Sequence, residues 1–371
     1  LALVLIGAGL ALHSNTRRVE TFGLSDLVEG PDRGGRILTP VEEARERFFR
    51  ARREGARADL RLSYYPPQPD LRALEAALEQ AVVPEGPLAA LYEAKRQELV
   101  SKTRLLAAVG TPAFTTYSQA VYGRPGPEGV RRAEQFLAEH PPHEWPPRAM
   151  PASVLKERFA QALASRSLHD WRVMLRTEGV VGVSINHRQR AIEVHAERSF
   201  SEHEMARLIV HEIDTHILRR VRAEATGLRL FAIGTAGYLA TEEGLAVYQE
   251  AAQGVLEVNR LRFYAGQLLA VNTALIGGFE AVFESLVARG FTEEEAFHIT
   301  LRVKRGLGAI DEPGTFTKDH CYFTGMRAVE AFVEAGGRIE ELFLLGKVGM
   351  EDLPLLRRVG LVEAMRMRAT A

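Results

Sequence analysis

The chain has 371 residues, of which 46% are hydrophobic and 26% charged, a balance typical of a folded globular protein. Its 47 Lys and Arg residues nearly equal its 48 Asp and Glu residues, so there is no overall field that would attract nucleic acid or an anionic membrane. The single cysteine, Cys321, excludes an internal disulfide and a multi-cysteine metal site. Histidines and carboxylates remain as candidate metal ligands, and a reducing, cytoplasmic location is expected.

The first dozen residues form an almost wholly apolar segment that is too short to span a bilayer and has no basic stretch before it. This segment predicts a buried or docked terminus, while a truncated export signal or anchor is the alternative. Residues 1–39 are therefore set apart as an N-terminal segment of unassigned role, and no membrane span is expected.

Hydrophobic periodicity predicts a predominantly helical α+β fold. Residues 40–57, 71–82 and 88–109 place apolar side chains on one face at helical spacing, which predicts an N-terminal helical portion over residues 40–150. Residues 151–371 are expected to form a core that holds the functional site and the C-terminal helices.

One small sheet is expected inside that core. Residues 180–185 and 191–195 are short β-type runs separated by a polar turn, which is typical of a hairpin. Ser201 then precedes an apolar-periodic run, and a serine in that place caps a helix that we predict over residues 202–220.

This predicted helix carries the motif HEIDTH, which follows an apolar stretch and begins at His211. A carboxylate buried beside two histidines is unfavourable unless it is paired, protonated or close to a metal. The motif therefore favours a metal site. The alternative is structural, with His211 as a core histidine, His216 at the surface and Glu212 in solvent.

The spacing of the two histidines conflicts with a regular α-helix. A common zinc-peptidase motif has them four residues apart, about 40° around the helix, so that both reach one ion. His211 and His216 are five apart, which leaves them roughly 140° apart on an ideal helix. We predict a π-bulge or similar irregularity near Asp214 and Thr215, either of which is also a candidate for orienting a histidine.

A third ligand must come from another element, because catalytic zinc usually takes three protein ligands and leaves one position for water. Thr241 precedes Glu242 and Glu243, which we expect in the first turn of a second helix. Either carboxylate could reach a metal, and either could instead complement the helix N-terminus, the role favoured for Glu242.

The two motifs together resemble a known family. HEIDTH followed by TEEGLA is similar to the microtubule-associated tyrosine carboxypeptidases and to bacterial relatives described as flavohemoglobin expression-modulating proteins with a Gln-Glu-Gly-Leu-Ala motif. The similarity also includes residues 118–123, 184–190 and 314–319 with Tyr322, and it covers roughly residues 40–362.

The resemblance implies a gluzincin-like zinc metallopeptidase, a class whose third ligand is glutamate. The five-residue histidine spacing is shared with dipeptidyl peptidase III. The resemblance assigns the zinc ligands to His211, His216 and Glu243, because the family has Glu before Gly-Leu-Ala and can have Gln one position earlier. It implies Glu212 as the general base that takes a proton from a zinc-activated water.

A peptide or protein C-terminus is the substrate that the resemblance implies. A terminal carboxylate needs a cation or amide donors, for which Lys318 is the candidate, and a local pair with Asp319 is the alternative role of Lys318. Tyr322 could bind substrate or donate to the oxyanion, or it could be a packed aromatic residue. The nearby basic run of Arg302, Lys304 and Arg305 could also supply such a cation, but a solvated helix face is the favoured interpretation.

Three functions stay open from the sequence. A carboxypeptidase is the main hypothesis, and an aminopeptidase or endopeptidase with the same zinc site is the first alternative. A non-catalytic metal-binding regulator is the second. A general base beside an incomplete ligand set favours an enzyme, since a structural zinc site needs no base and usually fills all four positions. Nothing in the sequence assigns tubulin as substrate.

Overall fold

A computed structural model describes residues 41–56, 58–64, 70–83, 85–177 and 182–370 of the chain. The apolar first dozen residues, and the N-terminal segment predicted over residues 1–39, lie outside this described part. Among the helices of the described residues, none is long and apolar enough to cross a membrane.

The fold is mostly helical, with 63% helix, so the predicted fold class is confirmed. In chain order the α-helices are α1 Val41–Arg53, α2 Leu71–Glu79, α3 Ala89–Ala107, α4 Ala113–Tyr122, α5 Pro127–Glu139, α6 Ala152–Ser165, α7 Glu202–Leu208, α8 Leu218–Ala225, α9 Arg229–Ile233, α10 Tyr238–Ala252, α11 Val258–Ala274, α12 Phe279–Val287, α13 Glu293–Lys304, α14 Cys321–Glu334, α15 Ile339–Leu344, α16 Leu353–Arg358 and α17 Leu361–Thr370. A π-helical segment, Ile209–Ile217, joins α7 to α8, and Thr317–His320 and Met350–Asp352 are 3₁₀ turns.

The described strands form two small sheets. Their bounds are β1 Met150–Pro151, β2 Arg172–Arg176, β3 Val183–Asn186, β4 Ala191–His195 and β5 Ser199–Phe200. β1 pairs antiparallel with β5, and β4 lies between parallel β2 and antiparallel β3. The predicted hairpin is confirmed as β3 and β4. The expectation of one sheet was wrong. The second sheet pairs β1 with β5 over only two residues each, and strands of this length are too short to show an alternating pattern in the sequence.

The chain divides into two compact units, each built from several segments. Unit 1 contains the described residues up to Pro142 together with Thr235–Ala240 and Val258–Thr324. Unit 2 contains His143–Gly234, Thr241–Glu257 and Gly325–Ala371. The domain boundaries predicted after residues 39 and 150 stay predictions.

Unit 1 is a helical assembly with aromatic packing. Phe48 on α1 is buried, and its ring centroid lies 5.0 Å from that of Phe279 and 4.8 Å from that of Phe283. Asp70 caps the N-terminus of α2, and its carboxylate accepts hydrogen bonds from the amides of Arg72 and Ala73. Helices α1, α2 and α3 match the three predicted in this part of the chain.

Unit 2 anchors the motif helix on its hydrophobic core. Ile213 and Ile217 of the π-helical segment are fully buried in one cluster with Leu155 and Phe159 of α6 and Val194 of β4. Burying side chains of this size stabilises the fold by about 1.5–3 kcal/mol each. The segment between the isoleucines is therefore held firmly against the sheet and α6.

Candidate metal centre

A π-helical turn brings the two histidines of the motif together. The helix that Ser201 caps begins as α7, and the Ser201 hydroxyl accepts a hydrogen bond from the Glu204 amide 3.0 Å away. Residues Ile209–Ile217 then adopt π geometry, whose hydrogen bonds run from residue i to i+5, so residues five apart lie one above the other. The ring centroids of His211 and His216 are 4.7 Å apart, and the predicted irregularity is confirmed.

Glu243 of α10 completes a buried three-residue group. Its Oε2 lies 3.6 Å from His211 Nε2 and 3.7 Å from His216 Nε2. One ligand atom from each of the three residues lies within 4.8 Å of the others, so the group could hold a metal ion. N and O ligands about 2.0–2.2 Å from a tetrahedral zinc lie about 3.3–3.6 Å apart. The group is therefore close to the size that such an ion requires.

Each histidine uses its other ring nitrogen to bind a carboxylate. His211 Nδ1 lies 2.6 Å from Glu250 Oε1, and His216 Nδ1 lies 2.9 Å from Glu242 Oε1. A carboxylate at Nδ1 fixes the proton there and leaves Nε2 as the free lone pair, which is the usual arrangement behind metal-binding histidines. The donor chemistry thus fits a metal at the position shared by both Nε2 atoms and Glu243.

These partners correct two expectations about the motif. Asp214 forms an ion pair with Arg166, and the Thr215 hydroxyl donates to the carbonyl of Val210, so neither orients a histidine. Glu250 was not among the residues predicted from the sequence. Its place seven residues after Glu243, two turns along one face of α10, was the available signal.

Glu242 does not complement a helix N-terminus. α10 begins at Tyr238, so Glu242 and Glu243 lie in its second turn, and Thr241 does not cap it. The Thr241 hydroxyl accepts a hydrogen bond from the amide of Met350, 3.0 Å away. Glu242 is only 3% exposed and bonds His216 and Arg219. The structure therefore gives both glutamates of the TEEGLA motif a place around the histidines.

Buried charges around the histidines are balanced by arginines. Burial favours the neutral form of Glu250, but Arg207 and His211 lower the pKa of this carboxyl below its usual range. Burial likewise opposes a charged His211, yet the carboxylates of Glu243 and Glu250 raise its pKa well above its usual range. With its pKa raised, His211 carries a second proton, on Nε2, in the absence of a metal. A metal ion bound here would replace this Nε2 proton, because a ligating histidine must be neutral.

Glu212 lies beside the group on the same π-helical segment. Its side chain is partly buried. Its negative charge also raises the pKa of His211, but by less than the carboxylates of Glu243 and Glu250 do. Glu212 is outside the three-residue group that could hold a metal, and its role as the general base stays a prediction.

The predicted substrate-binding residues belong to unit 1. Lys318 is partly buried in the 3₁₀ turn Thr317–His320, and Tyr322 stacks on Tyr264 with ring centroids 4.9 Å apart and planes 4° apart. The roles of Lys318 and Tyr322 in binding a substrate stay predictions.

The basic run at the C-terminal end of α13 is not a solvated face. Asp319 is fully buried, and its carboxylate accepts hydrogen bonds from Arg302 at 2.8 Å and from Arg305 at 3.3 Å. Lys304 is also fully buried, and its ammonium donates to the carbonyls of Gly277 and Glu312. A buried acid needs paired cations, so two of these basic residues neutralise Asp319.

A close glycine contact sets the position of α10. A Cβ atom on Gly244 would lie 2.1 Å from the carbonyl carbon of Gly325 on α14. Gly244→Ala is therefore expected to force the two backbones apart and to cost about 1–3 kcal/mol of stability. The test is the thermal unfolding midpoint, with Gly126→Ala as control because a Cβ there meets open space. Equal midpoints for the two variants would contradict the predicted contact.

The mostly helical fold and the buried His-His-Glu group, which could hold a metal ion, agree with the metallopeptidase class that the sequence predicted. A sequence model of the microtubule-associated tyrosine carboxypeptidase family matches residues 46–366, and the chain belongs to that family. It is therefore an enzyme of a carboxypeptidase family, as the sequence predicted. None of the curated proteins compared with the chain matches it.

Proposed function

We propose that this protein is a zinc-dependent carboxypeptidase in which His211, His216 and Glu243 hold the metal and Glu212 is the general base. The observation that carries the proposal is the buried group itself, with both Nε2 atoms facing Glu243 and both Nδ1 atoms bound to carboxylates. The metal is taken as zinc because two imidazoles and one carboxylate are a common ligand set of catalytic zinc.

A zinc ion in this group would polarise the scissile carbonyl and lower the pKa of a bound water. Glu212 takes the proton of the attacking water and passes it to the leaving amine, so that the amine departs neutral. Glu250 and Glu242 hold the imidazoles in one tautomer and one orientation during this exchange.

The incomplete ligand set favours an enzyme over the regulator alternative. Three protein ligands leave one position for water, whereas a structural zinc site usually fills all four with protein side chains. A purely structural site also has no use for a carboxylate placed like Glu212. Zinc bound without any peptide cleavage would favour the regulator.

We propose a peptide or protein C-terminus as the substrate, and the membership in a carboxypeptidase family supports this choice. Lys318 remains the candidate cation for the terminal carboxylate, and Tyr322 a candidate contact for the peptide. A C-terminal tyrosine is the first side chain to test because the family description names it, and the same description supports a cytoplasmic place of action.

Amidation of the substrate C-terminus is expected to abolish cleavage. A carboxypeptidase binds the terminal carboxylate through a charge-assisted contact, and an uncharged amide cannot replace it. Matched peptides ending in free and amidated tyrosine should be incubated with the zinc-loaded protein and followed by mass spectrometry. Equal cleavage of both peptides would instead favour the endopeptidase alternative, and shortening from the other end would favour the aminopeptidase.

A further inference from the structure

Arg219 is a fully buried arginine next to the metal group. It lies in the first turn of α8, three residues after His216, and its relative exposure is 0%. Its guanidinium donates to the Glu242 carboxylate and to the backbone carbonyls of Leu342 and Val348, both at 2.9 Å. One side chain therefore joins the carboxylate behind a histidine of the metal group to a distant segment of unit 2.

The arrangement of the three acceptors matches the planar guanidinium group, which only arginine has. A guanidinium is planar and holds its five N–H donors in fixed directions. Hydrogen bonds to the carbonyls of Leu342 and Val348 therefore also fix the direction of the remaining donors. Glu242 lies in that direction and accepts from His216 with its other oxygen. The orientation of His216 is thereby linked, through Glu242, to the Arg219 side chain.

The burial of Glu242 leads to the same residue. Glu242 is only 3% exposed, and a buried carboxylate needs a paired cation. The Arg219 guanidinium contacts one carboxylate oxygen of Glu242, and His216 Nδ1 contacts the other.

The segment that holds Arg219 is itself tightly fixed. A Cβ atom on Gly346 would lie 2.3 Å from Ala223 Cβ and 2.7 Å from the Arg219 carbonyl oxygen, so this segment rests directly on α8. The amide of Lys347 also donates to the carbonyl of Phe231 at 3.0 Å. The carbonyls of Leu342 and Val348 therefore offer the guanidinium one position.

We propose that Arg219 is a positioning residue for the metal centre, which holds Glu242 against His216 and makes this ligand depend on residues 342–348. This inference rests on the metal centre proposed above. The competing explanation is that Arg219 only stabilises the fold by joining α8 to residues 342–348. Metal affinity and thermal stability distinguish the two explanations. If Arg219 is only structural, its substitution lowers the thermal stability but leaves the metal affinity unchanged.

The test is a double-mutant cycle of Arg219→Lys and Glu242→Gln, read as the zinc dissociation constant from competition with a chelator. Arg219→Lys is expected to weaken zinc binding about tenfold, because outer-shell partners of a ligand contribute about 10–100-fold to affinity. If Arg219 acts through Glu242, the double variant binds zinc about as weakly as Glu242→Gln alone. Circular dichroism and the midpoint of the zinc-free protein report whether each variant is folded.

The matched control is Glu341→Gln, which removes the negative charge that pairs with Arg357 and Arg366 beside Leu342. It is expected to lower the unfolding midpoint without changing the zinc dissociation constant. Should Arg219→Lys fail to fold, Gly346→Ala replaces it in the cycle, since the added Cβ displaces the same segment from α8.

Two results would overturn the positioning role. One is an unchanged dissociation constant in Arg219→Lys despite a lower unfolding midpoint. The other is a loss of affinity in the double variant that equals the product of the two single losses, since independent effects multiply. A wild type that binds no zinc would overturn the metal centre itself and this role with it, which identifies the failure of the proposed function separately.

Discussion

Glu212→Gln is expected to retain zinc and to lose peptide hydrolysis. The substitution keeps the size and polarity of the side chain but removes the group that accepts the proton of water. General-base catalysis typically accelerates a reaction by about 10²–10⁴-fold, so the turnover number should fall by about 10²-fold or more. Glu212 is not one of the three residues that could hold the metal, so the zinc content should stay at the wild-type value.

The measurement combines metal analysis with release of the C-terminal residue from a peptide by the same protein sample. Glu157→Gln is the matched control, because Glu157 is exposed on α6 and the same chemical change there should alter neither quantity. Retained turnover in Glu212→Gln would contradict its role as base. Loss of zinc together with turnover would instead assign Glu212 to the ligand set.

His211→Ala is expected to remove zinc from the protein. His211 is one of three ligands in the group, and its loss leaves Glu243 and His216 as two donors for an ion that needs at least three. The zinc affinity should fall by more than the about 10–100-fold that is typical when a residue behind a ligand, such as Glu250 or Glu242, is replaced. Hydrolysis should fall with the zinc content, in contrast to the expected behaviour of Glu212→Gln.

His203→Ala is the matched control for this change, since His203 is exposed on α7 of the same helical stretch. Zinc stoichiometry by elemental analysis and affinity by chelator competition should both be unchanged in it. Full zinc content in His211→Ala would contradict the proposed ligand set. The structural explanation, in which His211 is a core histidine bound to Glu250, would then be favoured.

The motif helix was predictable because its conflict with regular geometry is itself a signal. Two histidines five residues apart cannot share an ion on an α-helix, so a common role for them requires a distortion such as the π-helical segment that is present. Glu243 was assigned by resemblance, and the structure brings it to the two histidines. Spacing in the sequence could not separate it from Glu242.

Glu242 was misread because local signals resemble those of a helix start. A threonine before two glutamates is typical of a capped N-terminus, yet α10 begins earlier, after Gly237, whose φ of +70° favours glycine. The partners that hold Glu242 come from elsewhere in the chain, from Arg219 and His216. Contacts of this kind depend on tertiary packing and leave no periodic trace in the sequence.

The role of the basic run at the C-terminal end of α13 was missed for a similar reason. Arg302 and Arg305 surround a buried Asp319, and a single acid in the sequence does not reveal that it will be buried. The helices of unit 1 could be predicted because their apolar faces recur at a local period. The pairing of β1 with β5 joins residues about fifty positions apart and could not be predicted from such a pattern.

Release of C-terminal residues by the wild-type protein is expected to depend on zinc. The chelated protein and the same sample restored with one equivalent of zinc should be compared on one peptide with a free carboxyl terminus. We predict that release is lost on chelation and returns with zinc. Release that continues at the same rate in the zinc-free protein would exclude a zinc-dependent peptidase.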